Sequence, residues 1–285
     1  QETCFEHPKV IDPNRQRIVQ IDVEPRNASW TMPAEVALIG DAELTLALLR
    51  ERLDGRVDAT AVAARRKGFS EIKAARDYFA HPMRGSENVP IAPQRLVAEI
   101  QDAVPEEAII CTDAGSNRHW MNHFFQTRRA NTYFGAGGLG GVSWSLPATL
   151  AAKIIEPDRP AIGVCGDGGF AMQMHVLLTA VQYGAAPVFV VMNNSRLGMT
   201  AEGMGNRSIG NVYPDINYAS IAGALGAWSQ QVTQPGDIAE ALHAALAQDR
   251  PAVIDVVIDP AESMRQAIYS PLALEASRGI RPEDV

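Results

Sequence analysis

The chain has 285 residues, 46% of them apolar and 20% charged, with a formal net charge of −8. This composition is typical of a globular protein, and the acidic balance argues against nucleic acid or an anionic membrane as its main partner. Apolar runs are all shorter than the roughly 18 residues of a membrane span, so we expect neither a membrane span nor a signal peptide.

The opening segment carries strand and helix signals, but too few for a domain of its own. It begins with Gln1 rather than Met and is polar as far as residue 16, from which we expect a processed product, a subunit or a fragment. A strand is predicted over 18–23 (IVQIDV), and a short strand followed by a helix capped at Asp41 over 35–53. Residues 1–55 are therefore predicted to be the end of one domain.

The next segment, residues 56–90, is predicted to be a linker. It is rich in charge and has no strand pattern, and one helix is expected over 70–79. Such composition is typical of chain that runs over the surface.

A regular alternation of helices and strands begins at residue 93. Buried strands are predicted over 108–112, 161–165, 187–193, 228–232 and 252–258, and helices over 94–104, 118–125, 143–155, 172–183, 218–225 and 237–247, with an irregular stretch from 195 to 214. This pattern is typical of an α/β domain with a doubly wound, mainly parallel sheet. The domain is predicted to span 91–262, followed by a tail at 263–285.

Two polar motifs follow two consecutive predicted strands. Asp167 stands in GDGG directly after one strand, and Asn194 follows the next. Because parallel strands end at the same edge of a sheet, both side chains are expected to face one crevice. Carboxylate and amide oxygens suit Mg²⁺, and glycines let backbone approach a phosphate, so we predict a magnesium and phosphate site here.

A second glycine motif leaves dinucleotide binding open as an alternative function. Residues 135–140 (GAGGLG) match G-x-G-x-x-G, which in the right context binds a dinucleotide. The match is weak alone, because only a short apolar run precedes it. A nucleotide-dependent oxidoreductase is therefore kept as an alternative.

Other chemically suggestive residues favour ordinary packing. His119 and His123 are four apart on a predicted helix, but no third zinc ligand accompanies them, so we expect a packed helix with partly buried histidines. Met172 and Met174 are predicted to fill the core. The three cysteines are too scattered for a disulfide framework, which favours a cytoplasmic protein.

Four separated motifs carry a resemblance to a known family. The spacing GDG, 24 residues, NN is similar to the motif of enzymes that use thiamine diphosphate (thiamine pyrophosphate), and TDAGSN (112–117), GGLGGVSWSLPA (137–148) and NNSRLGM (193–199) stand in the expected order. Residues 93–260 resemble the C-terminal, diphosphate-binding domain of the acetolactate synthase-like group. Residues 1–55 resemble the end of that group's central domain.

The resemblance implies roles for individual residues. Mg²⁺ would be bound by the side chains of Asp167 and Asn194 and by the Arg196 carbonyl. The catalytic contribution would come from Gly140, whose carbonyl accepts from the 4′-amino group, and from Val142, whose backbone amide meets the pyrimidine and whose side chain bends the cofactor. The full set implied to bind thiamine diphosphate is Ser116, Asn117, Gly140, Val142, Gly166, Asp167, Gly168, Gly169, Asn194, Gly198 and Met199.

The family's activating Glu lies in a pyrimidine-binding domain that these 285 residues do not contain. The resemblance therefore implies a partner chain or segment that carries this Glu, within a homo- or hetero-oligomer. The implied activity is decarboxylation of a 2-oxo acid and transfer of the acyl or aldehyde unit to an acceptor, as in acetolactate synthase.

Alternatives to this activity stay open. A simple 2-oxo acid decarboxylase or a sulfoacetaldehyde acetyltransferase-like enzyme is one, since residues 200–204 depart from the tryptophan-containing segment of the biosynthetic enzymes. An inactive relic that lacks the Glu is another. Binding of FAD is left open, because only the edge of the central domain is present.

Overall fold

The computed structural model describes residues 16–30, 33–76, 81–205 and 207–264. These residues belong to two compact units, which divide between residues 76 and 77. No helix within the described ranges is long and apolar enough to cross a bilayer.

The first unit contains a pair of strands and two helices. Strands β1 (Val19–Asp22) and β2 (Val36–Ile39) pair in parallel, with Val19 opposite Val36. Helix α1 (Ala42–Leu53) begins after Asp41, whose side chain accepts a hydrogen bond from the Leu44 amide at 3.0 Å. The predicted strands and the predicted cap are confirmed.

Helix α2 (Ala59–Arg76) corrects the helix predicted over 70–79, because it begins eleven residues earlier. The Asp58 carboxylate accepts hydrogen bonds from the amides of Thr60 and Ala61 at 2.8 and 3.2 Å, which satisfies backbone donors at the start of the helix. This capping aspartate is the signal that the sequence reading missed. Residues 77–79 lie outside the described ranges.

The second unit is built on a six-stranded parallel sheet with the order β4-β3-β5-β6-β8-β7. The strands are β3 (Ile109–Thr112), β4 (Tyr133–Gly135), β5 (Ala161–Gly166), β6 (Val188–Asn193), β7 (Trp228–Val232) and β8 (Ala252–Val257). The helices are α3 (Pro93–Ala103), α4 (Ser116–Phe124), α5 (Ser145–Ile155), α6 (Asp167–Gln173), α7 (Val176–Gln182), α8 (Gly198–Met204), α9 (Tyr218–Ala224) and α10 (Ile238–Leu246).

Both faces of this sheet are covered by apolar cores, because side chains alternate along each strand. On β5 and β6, Val164 and Val190 pack with α3, α4 and α10, whereas Phe189 and Val191 pack with α5, α7 and α9. The two central strands are buried on both sides, as is typical of parallel sheets. The predicted doubly wound α/β fold is confirmed.

Two local predictions in this unit were wrong. The predicted helix over 172–183 is two helices, since α6 ends at Gln173 and α7 starts at Val176. The stretch predicted to be irregular contains α8.

Gly163 in β5 leaves room for the side chains of Thr149 on α5 and Phe189 on the neighbouring strand β6. A Cβ atom there would lie 2.6 Å from Thr149 Oγ1 and 2.9 Å from Phe189 Cδ1, both in the core. Gly163→Ala is therefore expected to lower the free energy of unfolding by about 2 kcal/mol, measured by urea denaturation. Gly236→Ala, where the added methyl group meets nothing within 4 Å, is the control and should change stability little. Equal stability of the two variants would contradict this packing.

Candidate functional site

A cleft lies at the carboxyl edge of the sheet, where three neighbouring strands end. β3 ends at Thr112, β5 at Gly166 and β6 at Asn193. Open parallel sheets bind ligands at this edge. The cleft encloses about 230 Å³, and its lining includes every predicted site residue: Ser116, Asn117, Gly140, Val142, Gly166, Asp167, Gly168, Gly169, Asn194, Arg196, Gly198 and Met199.

The buried carboxylate of Asp167 joins the segments that follow β5 and β6. Its Oδ1 accepts a hydrogen bond from the Gly168 amide at 2.7 Å, and its Oδ2 accepts one from the Arg196 amide at 3.0 Å. Burial raises the pKa of Asp167 to about 6, and these backbone amides oppose the increase. Because these partners are amides rather than a cationic side chain, a bound cation would stabilise the charged carboxylate.

The segment after β6 is held by backbone bonds on both sides of the cleft residues. Ser195 has a positive φ of 55°, and its carbonyl accepts a hydrogen bond from the Tyr213 amide at 2.7 Å. Arg196 forms an isolated antiparallel bridge with Val212. These bonds fix the backbone on either side of Arg196 and next to Asn194. Two of the three predicted metal ligands therefore lie on a defined loop.

A buried polar network lies beneath this loop. The Asn193 amide nitrogen donates to Asp255 Oδ1 at 3.0 Å, and the Asn193 amide oxygen accepts from the Ser195 amide at 3.2 Å. The second Asp255 oxygen accepts from the Tyr218 amide and from the Gln231 side chain, both at 2.9 Å. Asp255 on β8 therefore connects the sheet to the loop that carries Asn194.

The glycine segment between β4 and α5 forms another wall of the cleft. Gly138 and Gly140 have positive φ angles of 58° and 62°, a conformation that glycine adopts readily. Val142 follows, and its side chain remains 46% exposed beside the cleft. The G-x-G-x-x-G match does not open a helix, as a dinucleotide fingerprint would, because α5 begins only at Ser145.

Buried polar atoms without protein partners face the same region. Ser116 Oγ and Asn117 Oδ1 are both buried and accept or donate no hydrogen bond within the described part of the chain. A Cβ atom at Gly198 would lie 3.2 Å from Ser116 Oγ and equally close to the Asn194 amide nitrogen. Buried polar groups normally have partners, so these atoms point to a polar ligand.

Comparison with known proteins places the chain in a family. Residues 113–256 match the family model described as thiamine pyrophosphate enzyme, C-terminal TPP binding domain. The chain belongs to this family. The match runs from the first residue after β3 into β8, and so it includes the cleft as well as most of the sheet.

Individual relatives resemble most of this chain. It is 29% identical over 260 residues to a probable acetolactate synthase large subunit of Methanocaldococcus jannaschii, which covers 87% of this chain and 43% of that protein. It is 31% identical over 252 residues to the putative thiamine pyrophosphate-containing protein YdaP of Bacillus subtilis, with 86% and 43% covered. The chain therefore spans about two fifths of the length of these curated relatives.

A solved structure shares the fold. The chain superposes on a thiamine diphosphate-dependent 4-hydroxybenzoylformate decarboxylase of Rhodococcus jostii RHA1 with a TM-score of 0.58 and 26% sequence identity. The similarity covers 62% of this chain and 34% of that one. The six-stranded parallel sheet described above is thus the fold of a thiamine pyrophosphate enzyme.

The residues in the cleft fit magnesium and the cofactor of this family. Asp167 and Asn194 offer hard oxygen ligands, and the Ser116 hydroxyl, which has no partner among the described residues, offers a donor to a phosphate. At Gly168 a Cβ atom would lie 2.5 Å from Leu197 Cδ2 and 3.1 Å from the Tyr213 hydroxyl, so a larger residue would have to displace these side chains. The donors and the close backbone suit a diphosphate held through a metal ion.

Several residues at or near the cleft were not predicted from the sequence. Asp113 and Asp255 are buried carboxylates bonded to backbone amides, and Tyr213 packs over Gly168, where a Cβ atom would lie 3.1 Å from its hydroxyl. For Asp113 a signal was present, because it directly follows a buried strand, as Asp167 does. Asp255 lies inside a strand run, where the sequence shows no partner for it.

The histidines and methionines singled out in the sequence have packing or surface positions and line no metal site among the described residues. His119 Nδ1 lies 3.2 Å from the Gly115 carbonyl oxygen, and the described residues contain no cluster of three His, Cys, Asp or Glu side chains that would hold a metal. The prediction of a packed α4 is confirmed by buried Trp120 and Met121. The prediction that Met172 fills the core was wrong, because its side chain is 63% exposed, whereas Met174 packs against the core.

The raised pKa of Asp167 predicts a pH dependence of the metal-free protein. Because the folded pKa of about 6 exceeds the unfolded value, the carboxyl stabilises the fold fully below about pH 4, and this contribution is lost as the pH rises through 6. Relative to Asp167→Asn, the wild type should lose stability between these pH values in urea unfolding. Added Mg²⁺ should reverse the loss. If the free energy of unfolding depended on pH in the same way in both proteins, the raised pKa of Asp167 would be contradicted.

Proposed function

We propose that this chain supplies the diphosphate- and magnesium-binding half of an enzyme that decarboxylates a 2-oxo acid and transfers the resulting unit to an acceptor. Thiamine diphosphate and Mg²⁺ are the proposed cofactors. The observation that carries the proposal is the convergence of four separated sequence motifs on one cleft at the carboxyl edge of the sheet. The family membership and the similarity to acetolactate synthase large subunits support it.

The metal half of the site consists of residues after β5 and β6. We assign Mg²⁺ to the side chains of Asp167 and Asn194 and to the Arg196 carbonyl, with phosphate oxygens completing its coordination. Support comes from the 3.0 Å hydrogen bond that the Arg196 amide donates to the Asp167 carboxylate, because this bond holds the two segments together. The Ser116 hydroxyl and the Gly168 backbone would then bind the diphosphate.

The other half of the site is the glycine segment. The Gly140 carbonyl is assigned to hold the amino group of the pyrimidine, and the Val142 amide its ring nitrogen. The Val142 side chain is assigned as the wedge under the cofactor, and its exposure beside the cleft supports this role. The positive φ of Gly140 explains why a glycine occupies this position.

When bound, thiamine diphosphate supplies the nucleophile and the electron sink for decarboxylation. The residues of this chain hold and orient it. Asp167 would offset part of the charge of the metal ion, Ser116 would donate a hydrogen bond to the phosphate, and Val142 would support the cofactor between its two rings. The protein therefore contributes position and electrostatics, and the proton relay to the pyrimidine is assigned to a glutamate of a partner chain or segment.

Two features support a partner with a pyrimidine-binding domain. The chain spans 43% of the length of its acetolactate synthase relative from Methanocaldococcus jannaschii, so the remaining functions of such an enzyme would lie elsewhere. Within the first unit, the apolar side chains of Leu44, Leu46 and Leu48 on α1 are exposed. Such surfaces usually pack against further protein, which favours an oligomer or an adjoining domain.

A simple 2-oxo acid decarboxylase is the second candidate. The structural similarity to a 4-hydroxybenzoylformate decarboxylase favours it. In that case the unit left after the loss of CO₂ would take up a proton and leave as an aldehyde, without transfer to an acceptor molecule.

The test is an assay of the full-length protein that carries this chain, with pyruvate as the 2-oxo acid. Release of CO₂ together with acetolactate, both dependent on thiamine diphosphate and Mg²⁺, is the expected result. Release of CO₂ with free aldehyde would favour the decarboxylase. Failure of a panel of 2-oxo acids to release CO₂ in the presence of both cofactors would contradict the proposal.

A further inference from the structure

A buried carboxylate lies behind the cleft and has backbone amides as partners. Asp113, the first residue after β3, is fully buried, and its Oδ2 accepts a hydrogen bond from the Ser143 amide at 2.9 Å. Its Oδ1 accepts from the Ser145 amide at 3.4 Å. A buried carboxylate is expensive unless such bonds satisfy it, so Asp113 and the chain around residue 143 constrain each other.

Ser143 is fixed from a second direction as well. It is fully buried, and its hydroxyl donates a hydrogen bond to the Gly169 carbonyl oxygen on α6 at 2.7 Å. Its φ of +71° is a strained conformation for a residue other than glycine, and such strain persists only where the surroundings impose it. The hydroxyl is therefore a reason for serine at a position that would otherwise favour glycine.

The third member of this junction is Gly169. A Cβ atom there would lie 2.2 Å from Asp113 Oδ2, so α6 packs with bare backbone against the carboxylate. The junction of Asp113, Ser143 and Gly169 thus joins the end of β3, the start of α6 and the chain that enters α5. None of the contacts within it uses a side chain of the metal loop.

The junction lies between the two halves of the cleft. Ser143 directly follows Val142, the residue assigned to the wedge, and Gly169 comes two residues after Asp167, the residue assigned to the metal. Both Val142 and Asp167 line the cleft, whereas the side chains of Asp113 and Ser143 lie behind it. A shift at the junction would change the separation of Val142 and Asp167 without removing either one.

We propose that Asp113 and Ser143 are positioning residues that set the distance between the wedge at Val142 and the metal carboxylate of Asp167. This inference rests on the proposed function, since it concerns the same cofactor. In this proposal the junction aligns the half of the cleft that binds the rings with the half that binds the diphosphate. Binding of a ligand that occupies both halves should therefore depend on the junction, and binding of a ligand that occupies one half should not.

The test compares two ligands by titration calorimetry on the full-length protein that carries this chain. Thiamine diphosphate with Mg²⁺ occupies both halves, whereas inorganic pyrophosphate with Mg²⁺ occupies the metal half alone. Ser143→Ala and Asp113→Asn are expected to weaken thiamine diphosphate about tenfold and to leave pyrophosphate affinity unchanged within about twofold. Ser143→Ala keeps the side chain small, so that it remains informative if Asp113→Asn fails to fold.

Ser229→Ala is the matched control, because Ser229 Oγ also donates to a backbone carbonyl at 2.7 Å, that of Ala219, and does not line the cleft. It should leave both affinities unchanged. Unchanged thiamine diphosphate affinity in Ser143→Ala would overturn the inference. An equal loss of affinity for both ligands would also overturn it, because such a loss indicates a general structural role. If the wild type binds pyrophosphate but not thiamine diphosphate, the proposed function fails, and the inference fails with it.

Discussion

Asp167→Ala is expected to abolish Mg²⁺-dependent binding of thiamine diphosphate, with an affinity loss greater than about 100-fold. Asp167 is a buried carboxylate at the metal half of the cleft, and it also binds the Arg196 amide at 3.0 Å. Its removal would delete the charged ligand proposed for Mg²⁺ and would release the loop that carries Asn194 and Arg196, the other two proposed ligands. The measurement is calorimetric titration with thiamine diphosphate in the presence and absence of Mg²⁺.

The control for this prediction is Asp102→Ala, which removes an exposed carboxylate from α3 in the same unit. It should bind the cofactor as the wild type does. Metal-dependent binding that survives in Asp167→Ala would mean that the ion lies elsewhere.

The second large effect is expected for Asp255→Ala, which should lower the free energy of unfolding by about 3 kcal/mol or more. Its carboxylate accepts hydrogen bonds from Asn193, Gln231 and the Tyr218 amide, and alanine would leave these buried donors without their acceptor. Because Asn193 also binds the Ser195 amide, the loop after β6 should loosen as well. Urea unfolding measures the first effect, and hydrogen exchange at the amides of residues 195 and 196 measures the second.

Asp249→Ala is the comparison for this variant, since Asp249 is exposed and precedes the same strand, β8. It should change stability by no more than about 0.5 kcal/mol. A loss for Asp255→Ala as small as that of the control would show that water or rearrangement satisfies the network.

The sheet and the cleft at its carboxyl edge were predictable because both depend on local patterns. Buried parallel strands read as continuous apolar runs, and a polar residue after such a run must lie at the carboxyl edge. Asp167 and Asn194 follow adjacent strands, so their proximity needed only the connection rules. Gly138 and Gly140 were recognisable as a motif, although their positive φ angles were not.

Other features depend on partners distant in the chain and could not be predicted. Asp255 bonds with Asn193 across 62 positions, and nothing near either residue indicates the pairing. The break between α6 and α7 interrupts a sequence whose helical pattern continues through it. At Asp58 the cap of α2 was readable, but the charge of the segment favoured a linker over a long helix.

The most direct test of the account is a crystal structure of the full-length protein with thiamine diphosphate and Mg²⁺. We expect the ion about 2.1 Å from oxygens of Asp167, Asn194 and the Arg196 carbonyl, the diphosphate against Ser116 and Gly168, and the pyrimidine ring against Gly140 and Val142. A cofactor bound outside this cleft, or an ion without Asp167 among its ligands, would contradict the proposed site.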